Sequence, residues 1–160
     1  MRQRHELDRL DRKILHALVA DGRQSWRDLA DAVGLSQTPV LRRVRRLEEL
    51  GIIAGYGARL DEQKLGGEIS VYVSVTLSMQ SLETLSAFEA QIVECEEVMS
   101  CFLMTGGSDY MLRVVVATLD EFHDFLMRRL TRIPGVAHIQ SSFALRPVLQ
   151  RAAPPLGDAI

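Results

Sequence analysis

The sequence predicts an α+β chain in two parts, a three-helix head followed by a βαββαβ half. Three observations predict it. Apolar residues recur at helical spacing in three short segments punctuated by Gly22, Gly34 and Gly51, all before residue 52. A strict alternation then runs from Ile69 to Met79, and two more helical segments follow among further strand-like runs. Charge divides at the same place: residues 1 to 60 hold 12 basic and 8 acidic side chains, near +4, and residues 61 to 160 hold 7 and 13, near -6.

The first helix begins at Asp8 as N-cap with Asp11 three residues on, and carries Leu10, Ile14, Leu15, Leu18 and Val19 before Gly22 stops it. A second opens with Ser25-Trp26-Arg27-Asp28, a capping-box pattern, and ends at Gly34. Ser36 is placed to cap a third, Gln37 to about Leu50, where Pro39 sits in the first turn, which needs no backbone donor. Two helices joined by a tight glycine turn outline a helix-turn-helix.

On the third helix Val40, Val44 and Leu47 share a narrow arc that must face the other helices. Gln37, Thr38, Leu41, Arg42 and Arg45 share the outer arc, with Arg43 and Arg46 flanking it. Its first two turns contain no acidic residue, as suits a surface that meets a nucleic-acid groove. Arg42 and Arg45 are the candidates for base edges, Arg43 and Arg46 for the phosphate backbone, and Ser36, Gln37 and Thr38 for bases or phosphates at the helix N-terminus. Ser25 is a further DNA-contact candidate.

After an extended connector, Ile52 to Leu60, the alternation puts Ile69, Val71, Val73, Val75, Leu77 and Met79 on one strand face and Ser70, Tyr72, Ser74, Thr76 and Ser78 on the other. Ser81 caps a helix with Leu85, Phe88 and Ile92. Val98 to Met104 and Tyr110 to Ala117 are strands joined by Thr105-Gly106-Gly107-Ser108-Asp109, too short for anything but a hairpin. Thr118 with Glu121 opens the next helix, with Phe122, Phe125, Leu126 and Leu130, and Pro134-Gly135 precede a last strand, Val136 to Leu145. The order is that of a ferredoxin-like sandwich, with both helices on one sheet face and the other left for a partner, so dimerisation is expected. Arg151 to Gly157 forms a Pro- and Ala-rich tail with Leu156 as its docking residue.

The 160 residues, 47% hydrophobic and 25% charged with net charge -2, suit a packed globular protein and not a disordered one. The apolar runs are short and Met1 to His5 leads into a polar helix, so neither a membrane span nor a signal peptide is expected, and the location read is cytoplasmic. Cys95 and Cys101 suggest neither a disulfide framework nor a zinc site. His16, His123 and His138 join no catalytic or metal pattern, and there is no Walker loop, dinucleotide fingerprint, HExxH or nucleophile elbow. Neither catalysis nor a cofactor is expected.

These residues resemble the Lrp/AsnC family of transcriptional regulators over nearly the whole chain. Leu7 to Leu15 and Asp21 to Ser25 resemble its opening helix and exit, Leu29 to Ser36 and Val40 to Glu48 its helix-turn-helix, and Ile52 to Tyr56 its hinge strand. Thr105 to Leu112 resembles its Thr-Gly-x-x-Asp-Tyr-x-Leu effector hairpin. The resemblance implies a winged-helix-like helix-turn-helix domain at 1–52, a hinge strand and linker at 53–66, a ferredoxin-like (RAM or ACT-like) effector and assembly domain at 67–148, and a tail at 149–160. It implies double-stranded operator DNA as partner, homodimers that build tetramers or octamers, no membrane, and a small amino-acid effector such as leucine, methionine or cysteine. The effector pocket it implies comprises Thr105, Gly106, Gly107, Ser108, Asp109 and Tyr110 with Gln140, Ser141 and Ser142. The chain departs from the family where members often carry an acidic residue, at Gly107, and a lysine after the last strand, at Arg146-Pro147-Val148. Two other classes compete: a metabolite-binding module acting through protein partners, which would lack salt-sensitive DNA affinity, and a small enzyme, which would need a nucleophile and base.

Overall fold

A computed structural model of the chain describes residues 6–157. The expected lead-in at residues 1–5 lies outside them. The described residues form two compact units, one of residues 6–59 with 149–157, the other of residues 60–148.

The first unit holds α1 (Arg9–Ala20), α2 (Trp26–Val33) and α3 (Gln37–Glu49). The Asp8 carboxylate accepts from the Asp11 amide at 2.8 Å, and the Asp11 carboxylate accepts from the Asp8 amide at 3.2 Å, so the capping box is complete. At α2 the Ser25 hydroxyl accepts from the Asp28 amide but donates to the Asp28 carboxylate, which therefore reaches the hydroxyl and not the backbone as expected. Gly34 ends α2 at φ 75°, the left-handed conformation that turns the chain into α3. Ile14, Leu29, Val40, Val44 and Leu47 meet in a core of their own. After Gly51 the amides of Ile52 and Ile53 both bond the Leu47 carbonyl, and residues 54–60 then run without a sheet ladder.

The second unit has β1 (Ile69–Leu77), α4 (Leu82–Ile92), β2 (Val98–Leu103), β3 (Tyr110–Val116), α5 (Leu119–Arg128) and β4 (Val136–Ala144), with short 3-10 turns at Gln63–Leu65 and Leu130–Arg132. The sheet order is β2-β3-β1-β4, and each neighbouring pair is antiparallel. Val71, Val73, Val75 and Leu77 of β1 and Tyr110, Leu112, Val114 and Val116 of β3 form one face, buried with Phe88, Ile92, Phe122 and Phe125 from the helices. β1 ends two residues earlier than its alternation suggests, because the register breaks after Thr76 and the Ser78 amide turns to the Gly135 carbonyl.

Candidate DNA-reading helix and effector hairpin

The four arginines of α3 divide into two pairs. Val40, Val44 and Leu47 are fully buried, which turns Gln37, Thr38, Arg42 and Arg45 to the exposed side and leaves Leu41 half-buried among them. Among the described residues Arg42 and Arg45 pair with no carboxylate. Arg43 and Arg46 both do: Arg43 reaches Asp8 at 2.6 Å and Asp11 at 2.8 Å, and Arg46 also bonds Asp11. The Asp11 carboxylate is wholly buried, so the two guanidinium groups supply its counter-charge. Burial alone would raise the Asp8 pKa, but the Asp11 amide and the Arg43 guanidinium outweigh it and hold the carboxyl below its usual value.

At the start of α3, Ser36 has N-cap backbone geometry but its hydroxyl bonds no helix amide, unlike the capping expected of it. That hydroxyl and the first-turn amides are left to outside acceptors, at the end where the helix dipole favours a phosphate. Ser25, by contrast, spends its hydroxyl on Asp28.

In the second unit Thr105, Gly106 and Gly107 form the exposed tip of the β2–β3 hairpin, with Ser108 half-buried. Gly106 has φ 128°, a conformation that suits glycine. The next residue fastens this tip. Asp109 is 6% exposed, and its carboxylate accepts from the Leu77 amide at 2.7 Å and from Gln80 Nε2 at 2.5 Å. Its amide donates to the Val75 carbonyl, and its own carbonyl accepts from the Met104 amide. Asp109 thus ties the hairpin root to the end of β1. Tyr110 points into the core, stacked on Phe88 at 4.5 Å between ring centroids, and its hydroxyl donates to Glu89. Burial, followed by that bond, pushes the phenol well above its ordinary pKa.

The three polar residues of β4 do not share a face. Gln140 lies opposite Ser74, and Ser142 opposite Tyr72, on the face away from the helices, whereas Ser141 pairs with buried Val73 on the helix side. They also stand apart from the hairpin. Two strand spacings, roughly 10 Å, separate β3 from β4 across β1, and Ser142 aligns with Arg113 well inside β3.

Comparison with known proteins follows this division. Residues 7–48 match the AsnC-type helix-turn-helix domain model, and residues 70–154 the Lrp/AsnC ligand binding domain model. The chain belongs to the Lrp/AsnC family. Among relatives, it is 62% identical over 151 residues to the Bkd operon transcriptional regulator of Pseudomonas aeruginosa, covering 94% of this chain and 99% of that one. It is 39% identical over 145 residues to the leucine-responsive regulatory protein of Salmonella typhimurium, covering 91% and 88%. Among solved structures, a Neisseria meningitidis transcriptional regulator in complex with L-Met superposes with TM-score 0.90 at 32% identity, over 94% of this chain and 97% of that one. This Lrp/AsnC chain is therefore a DNA-binding transcriptional regulator and not an enzyme.

Sequence reasoning missed the ion-pair cluster under α3, because Asp8 and Asp11 read locally as a capping box and nothing adjacent to them names a partner 32 or 35 residues away. It also missed Gln80, which lies in the turn after β1 and has no motif around it. The direction of Tyr110 was available in principle, since it shares parity with Leu112, Val114 and Val116. Among the described residues no helix is long and apolar enough to cross a membrane, and no cluster of His, Cys, Asp or Glu could hold a metal. A surface cavity of about 370 Å³ between α4 and α5 is lined by Glu94, Cys95, Arg128, Arg129 and Arg132. Arg128 pairs with Asp124 at 3.2 Å and Arg129 with Glu97 at 3.5 Å, so its rim is largely self-neutralised.

Proposed function

We propose that this Lrp/AsnC regulator reads a partly palindromic operator through Gln37, Thr38, Leu41, Arg42 and Arg45 of α3, in an oligomer whose DNA binding is modulated by a small apolar or sulfur-containing amino acid. The observation that carries the DNA half is the split among the arginines. A guanidinium with no internal carboxylate can give two parallel donors to a guanine edge, whereas one already bonded to buried Asp11 must first be released. Arg42 and Arg45 are therefore the base-reading pair, and Ser36 offers its idle hydroxyl to a phosphate. Arg43 and Arg46 act on phosphates only through whatever donors Asp8 and Asp11 leave open, and Ser25 contributes chiefly its place at the start of α2.

The effector half rests on the hairpin. Thr105 to Ser108 expose a hydroxyl, backbone amides and carbonyls that suit an amino acid's carboxylate and ammonium, while Asp109 and Tyr110 serve by positioning them. Gln140 and Ser142 lie too far across the sheet to meet the same small ligand in one chain, which supports a site completed by a second copy. Tyr72 and Phe102 are exposed apolar side chains on the sheet face away from the helices, which supports a homodimer formed through that face. That relatives are named leucine-responsive, and that a structural neighbour was solved with L-Met, supports leucine or methionine as first candidates.

The test is selection of duplexes from a randomised pool, followed by binding at two salt concentrations. The wild type should enrich a site with half-sites one or more helical turns apart. R42E/R45E should lose that site while keeping its melting temperature; an unchanged affinity would refute the recognition-helix assignment. For the effector, a thermal-shift screen of the twenty amino acids should single out one or two, since a ligand at a hundredfold excess over its Kd stabilises the native state by about 2.7 kcal/mol.

A further inference from the structure

The chain does not end with the sheet. Beyond β4, residues 149–157 group with the first unit, and Leu156 and Gly157 dock on α1. Three contacts fix them there. The Arg12 guanidinium donates to the Leu156 carbonyl, the His16 ring nitrogen lies 3.3 Å from the Gly157 carbonyl, and the Leu156 side chain packs, half-buried, against the helical core. Arg12 and His16 are four residues apart, so they present neighbouring donors on one face of α1, turned away from the core residues Ile14 and Leu15.

Gly157 fits this seat in two ways. It adopts φ 74°, and a Cβ there would stand 2.8 Å from Arg12 Nη1. Pro154 and Pro155, just before Leu156, restrict the approach and reduce the freedom lost on docking. None of the contacts uses Gln37, Thr38, Leu41, Arg42 or Arg45, so the segment leaves the DNA-reading face of α3 open.

We propose that residues 149–157 form a strap, a second tether that fastens the DNA-binding unit to the effector unit in addition to the connector at 54–60. A head held by one flexible connector can reorient freely; one held at α1 as well has that freedom curtailed. The strap follows β4, the strand that carries Gln140 and Ser142, after the four residues 145–148, so a shift of that strand can be passed to α1 by a route that bypasses the connector. Its function is to limit the orientations of the head and so the half-site spacings an assembly can read. This role stands whether or not an amino-acid effector is found.

The full-length protein tests both the docking and the tethering. Undocking frees the chain that follows Arg151, so trypsin should cut there faster once the strap has left its seat, whereas the Arg146-Pro147 bond resists it. Gly157→Val should be nicked at Arg151 at least about tenfold faster than the wild type, as mass spectrometry would read it, because proteolysis follows the population of the open form. Trp26, the sole tryptophan and part of the head, then reports its motion. Nanosecond depolarisation of its fluorescence should become faster in Gly157→Val, and again in a chain ending at Val148. Equal nicking rates in variant and wild type would overturn the docking. Faster nicking with unchanged Trp26 depolarisation in both altered chains would overturn the tether.

Discussion

Replacing Asp11 by asparagine tests the ion-pair cluster that orients the recognition helix. The wild-type carboxylate is fully buried, accepts from the Asp8 amide and takes charge-assisted bonds from Arg43 and Arg46. Asparagine preserves the shape and keeps one carbonyl acceptor, but it loses the charge and turns an NH2 donor against one of the two guanidinium groups. Breaking a fully buried pair costs about 3–5 kcal/mol, yet here the Arg43 and Arg46 side chains are 23% and 49% exposed and recover part of their hydration. The expected loss is therefore about 2 kcal/mol, near that of one charge-assisted hydrogen bond. For a unit of this size about 2 kcal/mol corresponds to a fall of roughly 8–16 °C in melting temperature. Trp26 fluorescence follows the head specifically, and Arg42→Ala is the control, an exposed unpaired arginine whose loss should change stability by less than about 0.5 kcal/mol. If D11N melts with the control, the cluster does not hold α1 to α3 and the division among the arginines has no structural basis.

Three further outcomes follow from the same contacts. Asp8 and Glu62 have carboxyl pKa values lowered in the fold, so the stability they contribute is full above their unfolded values of 3.8 and 4.5 and is lost as pH falls through the lower folded ones. Acid titration should thus destabilise both units below about pH 4, more steeply at low salt; a flat stability profile from pH 5 to 2 would contradict it. Tyr110→Phe removes only the bond to Glu89 and should cost about 1 kcal/mol while leaving any amino-acid response in the thermal-shift screen intact; loss of the response without loss of stability would make Tyr110 a ligand contact after all. Asp109→Ala leaves the Leu77 amide unsatisfied and should cost about 1–3 kcal/mol, with faster hydrogen exchange at residues 105–108 than elsewhere; uniform exchange would refute its role in fixing the hairpin.

Period and parity made most of the fold legible. The 3.6-residue spacing of Val40, Val44 and Leu47 sets the inner face of α3, and the two-residue spacing from Val71 to Leu77 sets the buried face of β1. The same parity separates Ser141 from Gln140 and Ser142, although a motif read as a run of polar residues hides it. What stayed illegible is pairing across distance. Asp11 and Arg46 are 35 residues apart, and Asp109 and Leu77 are 32 apart, so the tertiary partner of each depends on how helices and strands pack and not on any local pattern. Local propensity also misjudged Ser36, a favoured N-cap type at an N-cap position whose hydroxyl is nonetheless left unspent.

The arginine division has a consequence for specificity. A buried ion pair adds little net stability over a well-packed apolar pair of the same size, but it tolerates few geometries. Placed between the N-terminus of α1 and one flank of α3, the Asp11 cluster fixes the rotation of the recognition helix about its own axis, which decides the side chains that meet base edges. Were all four arginines free, each could reach a phosphate from several rotations, raising affinity for every sequence alike. Committing Arg43 and Arg46 to Asp8 and Asp11 withdraws two of those sequence-blind contacts and orients the remaining two. On this account the cluster trades general DNA affinity for discrimination, and D11N should bind non-specific duplex at least as well as the wild type while distinguishing the selected site from it less.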